Sequence, residues 1–168
     1  AVEKGFDYVR YSDNFVTFRK EKEKAYVCHE EMSAFLAEDR RLKLNEDPQT
    51  FRNLYAGFVF LGVFFKNQER RISTEKERKT FRRINWLTNA SAGVDPETAL
   101  QRINDSIQSQ KRFYGFLRSD RQFARFDEHL MERLKVLLSA YGKKGFMDSR
   151  SDFERFLSRV AFYAERTP

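Results

Sequence analysis

Apolar positions along this chain follow two rhythms. Up to Ile72 short aromatic and β-branched stretches flank one helical run, whereas from Thr74 onward apolar residues recur at helical spacing throughout. Phe6 to Arg10 and Phe15 to Phe18 are two such stretches, separated by Tyr11-Ser12-Asp13-Asn14, whose central residues favour turns. The pattern predicts a β-hairpin with an acidic tip. From Lys20 to Arg40, Ala25, Cys28, Met32, Phe35 and Leu36 share one helical face and charges fill the other, which predicts a helix packed against a sheet. Leu42 to Leu44 reads as a short strand and Asn45 to Gln49 as a turn containing Pro48. Thr50 to Leu54 is expected to pair with Phe58 to Phe65 across Tyr55-Ala56-Gly57, and a last short strand is expected near Arg70 to Ile72.

The second rhythm predicts helices throughout. Thr74 with Glu77 three residues on is a capping-box signal for a helix running to about Asn89. After a break at Ala90 to Gly93, Asp95 as N-cap and Pro96 in the first helical position open the clearest helix, striped with Leu100, Ile103, Ile107, Tyr114 and Leu117. The next helix carries Phe123, Phe126, Leu130, Leu134, Leu137 and Tyr141, and Gly142 and Gly145 are expected to end it. Ser151 or Asp152 is placed to cap a final helix that buries Phe153, Phe156, Leu157 and Val160. The change of rhythm near Ser73 marks the expected subdomain boundary, giving residues 1–73, 74–145 and a C-terminal helix within 146–168.

Composition narrows the setting. In 168 residues, 40% apolar content with 18 Phe is enough to fill a core. No apolar run approaches the roughly 20 residues that cross a bilayer, and no basic-then-apolar leader opens the chain, so no membrane partner and an intracellular setting are expected. The single cysteine, Cys28, rules out an internal disulfide framework, and with only His29 and His129 beside it there is no typical zinc set. Both histidines are expected to be solvated or to pack between helices, and Trp86 to anchor a core or subdomain interface. Charge is unevenly placed: residues 1–73 carry 13 Lys and Arg against 12 Asp and Glu, and residues 74–168 carry 19 against 13, so nearly all of the net +7 lies in the helical half. A basic helical surface suits a polyanionic partner, and equally a solvated surface that favours solubility.

The order of short motifs is more specific. Phe6-Asp7-Tyr8-Val9-Arg10-Tyr11-Ser12-Asp13-Asn14-Phe15-Val16 resembles the catalytic hairpin of group II intron-type reverse transcriptases, in which an arginine precedes Tyr-x-Asp-Asp and an apolar strand follows. After a helix, Leu42-Lys43-Leu44-Asn45 is similar to that family's Leu-Asn turn, and Phe60-Leu61-Gly62 to its palm-to-thumb strand. The run Leu100 to Leu117, then Phe123 to Leu130 and Arg133-Leu134, resembles the family's thumb helices, so the likeness extends to about Lys144.

The resemblance implies an α+β chain, with the C-terminal part of a palm (an antiparallel hairpin sheet with a packing helix) followed by an all-helical thumb. It implies an RNA-directed DNA polymerase, a nucleotidyltransferase working through two Mg²⁺ ions about 3.5–4 Å apart, with Asp13 as one metal ligand and Asn14 in the second hairpin position. The family's other essential aspartate would fall on a strand before Ala1, in an N-terminal fingers-and-palm segment or a partner chain. Two positions depart from the pattern. Asn14 replaces the second aspartate, and Pro48 stands where a lysine is usual. The thumb would hold an RNA template or an RNA–DNA hybrid by backbone contacts from Arg82, Arg83, Lys111, Arg112, Arg118, Arg121 and Arg125, with little sequence preference. The competing expectation is a catalytically degenerate RNA-binding or assembly module, of the kind found with introns, CRISPR systems or antiphage defence. A third is an interaction scaffold that binds no nucleic acid.

Overall fold

The computed structural model describes residues 7–45, 51–91, 93–117 and 119–164. Among these the chain is α+β, with two small antiparallel sheets and five helices. It divides into two compact units. One holds the described residues up to Leu61 together with Phe65–Asn67, and the other holds Gly62–Phe64 and the described residues from Gln68 onward. Most of the turn expected at Asn45 to Gln49, including Pro48, lies outside the described residues, as does Arg118.

The first unit opens with the hairpin β1 (Tyr8–Tyr11) and β2 (Asn14–Thr17), paired antiparallel with Tyr11 opposite Asn14 and Tyr8 opposite Thr17. That register leaves Ser12 and Asp13 as a two-residue loop. Ser12 has φ 56° and Asp13 has no positive φ, the pattern of a type II′ turn, which usually places glycine at that first position. Helix α1 (Lys22–Arg40) follows and ends with Arg41 in the left-handed region. Of its expected apolar face only Cys28 is fully buried, and Phe35 remains 46% exposed. Tyr26 and His29 instead meet the ring of Phe51, at centroid distances of 4.3 and 5.3 Å.

Three expectations in this region are corrected. Leu42 to Leu44 forms no strand, and neither does Phe51 to Leu54. The strand expected from Phe58 to Phe65 is broken in two, β3 (Phe58–Phe60) and β4 (Val63–Lys66), and β4 lies between β3 and β5 (Glu69–Ile72) in the sheet. The cause lies in the backbone between them: Leu61 and Gly62 have φ 50° and 78°, so they reverse the chain as a two-residue I′-type turn where continuous apolar character suggested one strand.

The second unit is built around three long helices. In α2 (Thr74–Ser91) the cap is Ser73 rather than Thr74: its hydroxyl accepts from the Lys76 amide at 3.3 Å and its carbonyl from the Glu77 amide at 2.8 Å. In α3 (Pro96–Tyr114) the expected start is observed, with the Asp95 carboxylate accepting from the Thr98 amide at 3.0 Å. Helix α4 (Asp120–Lys143) runs through Gly142, and the left-handed residue beyond its end is Gly145, φ 70°. In α5 (Arg150–Ser158) Ser149 and Asp152 form a reciprocal capping box, so the cap sits before the two residues expected.

Helix α2 packs on both α3 and α4. The striped apolar positions meet there: Ile84, Ile103, Ile107, Phe126, Leu130, Leu134, Leu137 and Tyr141 are all 1% exposed or less. Truncating one of these leucines to alanine removes about 2–5 kcal/mol in a site that cannot collapse. Trp86 does not join this core. It is 56% exposed, with the Arg83 guanidinium 4.5 Å above its ring.

The segment after α5 is held by polar side chains of the long helices. Asn104 of α3 donates to the Arg159 carbonyl and accepts from the Ala161 amide, both at 2.8 Å. Lys111 of α3 donates to the Phe162 carbonyl at 2.8 Å, and Asp127 of α4 accepts from the Tyr163 and Ala164 amides at 2.6 and 2.7 Å. Between these bonds Val160 and Tyr163 are buried, the latter edge-on to Phe126 at 5.2 Å.

Candidate nucleic-acid interface

The hairpin loop displays Asp13 and Asn14 together at its exposed tip. Their side chains are joined, since Asn14 Nδ2 donates to Asp13 Oδ1 at 3.1 Å. Arg10 Nε donates to the Ser12 carbonyl at 2.7 Å, bracing the loop from the adjacent strand. A positive φ on serine costs free energy that glycine would avoid, and such conformations concentrate at functional sites. The donor set is one carboxylate and one neutral amide. Among the described residues no group of three or more His, Cys, Asp or Glu side chains is placed to hold a metal ion, so these residues do not by themselves fit a Mg²⁺ site.

The seven basic residues singled out in the helical half fall into separate settings. Arg82, Arg83, Arg112, Arg121 and Arg125 are exposed. Arg125, exposed, also pairs with Glu77 at 2.7 Å across α2 and α4. Lys111 is half-buried and holds the Phe162 carbonyl, a fastening role that its place in the sequence does not reveal. Arg83 and Arg112 face two adjoining hollows along α3, while Arg121 stands in the first turn of α4.

The larger hollow is a groove of about 910 Å³ between α2 and α3. Among the described residues Lys76, Lys79, Arg83 and Arg102 line it against a single carboxylate, Asp105, and Trp86 stands on its wall. Lys79 also pairs with Glu75 at 2.6 Å in the open, a contact worth little in water. The groove wall is tied by Thr80, buried, whose hydroxyl donates to Gln110 Oε1 at 2.9 Å. Next to it on α3 a smaller hollow shares Asp105 and Ser109 with the groove and adds Gln108, Arg112 and Phe113, the last 42% exposed.

Lys76, Lys79, Arg102 and Trp86 were not among the expected site residues. Their signal was present: Lys76, Lys79, Arg83 and Trp86 follow at three- and four-residue steps, the spacing of one helix face. It was masked because a lone tryptophan in an amphipathic helix ordinarily belongs to the core.

His129 is taken up in packing. Its Nε2 lies 2.8 Å from Asn85 Oδ1 and its ring meets Phe81 edge-on at 5.1 Å. No protein-family model matches this chain, and no curated protein matches it.

Proposed function

We propose that this chain is the C-terminal palm and thumb portion of a group II intron-like reverse transcriptase, which holds template–primer nucleic acid and contributes part of a nucleotidyl-transfer site. The observation that carries the reading is the hairpin. A two-residue loop with a strained serine presents Asp13 and Asn14 at an exposed tip, at the position where the resembling family keeps its metal-binding turn. Two further features support it. The basic excess lies in the helical half, where Arg82, Arg83, Arg112 and Arg121 are exposed. The first unit leaves Tyr8, Val9, Tyr11, Tyr26, Val27 and Phe35 more than 40% exposed, apolar side chains that a fingers-and-palm segment could cover.

A second reading is favoured by Asn14. An asparagine that donates to Asp13 satisfies the carboxylate internally and adds no charge for a divalent ion, which suits a degenerate module that binds RNA without polymerising. Both readings require nucleic-acid binding by the helical half. The test is affinity for an RNA–DNA hybrid over a salt series, for the wild-type chain and for Arg82→Ala/Arg112→Ala/Arg121→Ala. Affinity should fall steeply with salt, and the variant should show a log–log slope shallower by about one unit for each phosphate it no longer meets. Equal weak binding with equal shallow slopes would sink both readings and leave an interaction scaffold.

A further inference from the structure

We propose that the α2–α3 groove binds single-stranded nucleic acid, with an unstacked base lying against the indole of Trp86 and the neighbouring phosphates meeting Lys76, Lys79, Arg83 and Arg102. The inference rests on the nucleic-acid reading above and adds to it a different ligand, on a surface that shares Arg83 with the duplex grip and adds Lys76, Lys79, Trp86 and Arg102.

Charge and shape select the occupant. Among the described lining residues four cations face one carboxylate, with Glu75 outside the lining paired to Lys79, so an anionic chain is favoured over a neutral or cationic one. A polyanion alone would not need the indole. Trp86 is more than half exposed even with the Arg83 guanidinium stacked 4.5 Å over one face of its ring. Interleaved aromatic faces and cations are what single strands require, because every base has a π-face and every step a phosphate. The pattern continues along α3, where Phe113 and Arg112 stand in the adjoining hollow that shares Asp105 and Ser109 with the groove. A duplex keeps its bases stacked inside and offers no face to Trp86. Ser106, Ser109 and Gln110 add hydroxyl and amide groups along the same lining, suited to base edges or 2′-hydroxyls.

Trp86 is the chain's sole tryptophan, so its emission reports on this groove alone. The experiment titrates the full chain with a short unstructured single-stranded RNA, an abasic strand of equal length, polyglutamate and an RNA–DNA hybrid. Trp86 emission and the anisotropy of labelled nucleic acid are followed together. The RNA is expected to quench Trp86 saturably, while the abasic strand and polyglutamate bind more weakly and leave its emission nearly unchanged. Trp86→Ala should weaken single-strand binding roughly tenfold, and Trp86→Phe should restore part of it. Lys79→Ala/Arg102→Ala should flatten the salt dependence by about one log–log unit for each phosphate no longer neutralised. Circular dichroism confirms that each variant is folded.

Equal quenching by polyglutamate or the abasic strand would reduce the groove to an unspecific anion surface and overturn the proposal. So would single-strand binding that ignores Trp86, Lys79 and Arg102. Steep salt-dependent binding of the hybrid, with Trp86 emission unmoved by single strands, removes the groove proposal and leaves the duplex reading standing. Binding of neither removes both.

Discussion

Gln122 donates from Nε2 to the Ile72 carbonyl at 3.0 Å and accepts at Oε1 from the Ile72 amide at 2.9 Å, so one side chain completes both backbone bonds of the last residue of β5. Ile72 is 2% exposed, and water cannot readily replace a missing partner there. Gln122→Ala should therefore destabilise the fold by about 1–3 kcal/mol, the cost of leaving a buried peptide group unpaired. Gln122→Glu keeps the acceptor but turns a carboxylate oxygen toward the Ile72 carbonyl, and should be at least as costly. Denaturant unfolding with a common m-value measures both.

Gly62 is fixed on two counts. Its φ of 78° suits glycine, and a Cβ there would lie 2.6 Å from the Tyr114 hydroxyl. Gly62→Ala should lower stability by about 1–3 kcal/mol. Adding Tyr114→Phe should recover the part due to steric overlap and not the part due to backbone. Full recovery in the double variant would show that the φ preference costs nothing.

At the hairpin tip, Asn14→Asp removes the donor to Asp13 and puts a second carboxylate beside the first. Divalent-ion affinity should rise, because hard cations are held by charged oxygens. Water-proton relaxation with Mn²⁺ reads this without any enzymatic assay, and Asp13→Ala in the same background should abolish the gain. Unchanged Mn²⁺ affinity in a folded protein would count against the tip as a metal ligand.

Acid should weaken the helical unit below the ordinary carboxylate range and not above it. The Thr98 amide holds the Asp95 carboxyl low, the Arg159 guanidinium holds Glu97 low, and the Ser149 hydroxyl holds Asp152 low. A carboxyl depressed in the folded state binds its proton more weakly there than when unfolded. Its stabilising contribution is thus present above the ordinary values, 3.8 for aspartate and 4.5 for glutamate, and is lost as pH falls through the depressed ones. Thermal midpoints should stay level from neutral pH to those values and then fall. Asp95→Asn, which still caps but does not titrate, should make the fall shallower.

Local chemistry made much of this fold legible. Asp95-Pro96 located the start of α3 because a side-chain cap and a fixed φ act over a few residues. The leucine and phenylalanine stripe of α4 gave the core for the same reason, since helical periodicity is a property of the segment itself. What escaped depends on distant partners or on backbone sign. The reversal at Leu61-Gly62 lay within an apolar run that reads as one strand, and the exposure of Trp86 is decided by what α3 leaves open beside it. The ion pair of Arg125 with Glu77, far away in sequence, likewise could not be read from either segment alone.

The fastening of the C-terminal segment has an evolutionary consequence. Asn104, Lys111 and Asp127 grip main-chain amides and carbonyls of residues 159–164, groups that every amino acid except proline supplies alike. The clasp therefore reads the path of the segment and not its spelling. Among natural variants of this chain, exposed Ala164 should drift freely and half-buried Ala161 and Phe162 more than their neighbours Val160 and Tyr163, provided proline is avoided where an amide is used. Drift at Asn104, Lys111 or Asp127 should be rare, although these stand on helix surfaces that ordinarily vary most. Val160 and Tyr163, buried beneath the clasp, should change only for residues of similar bulk.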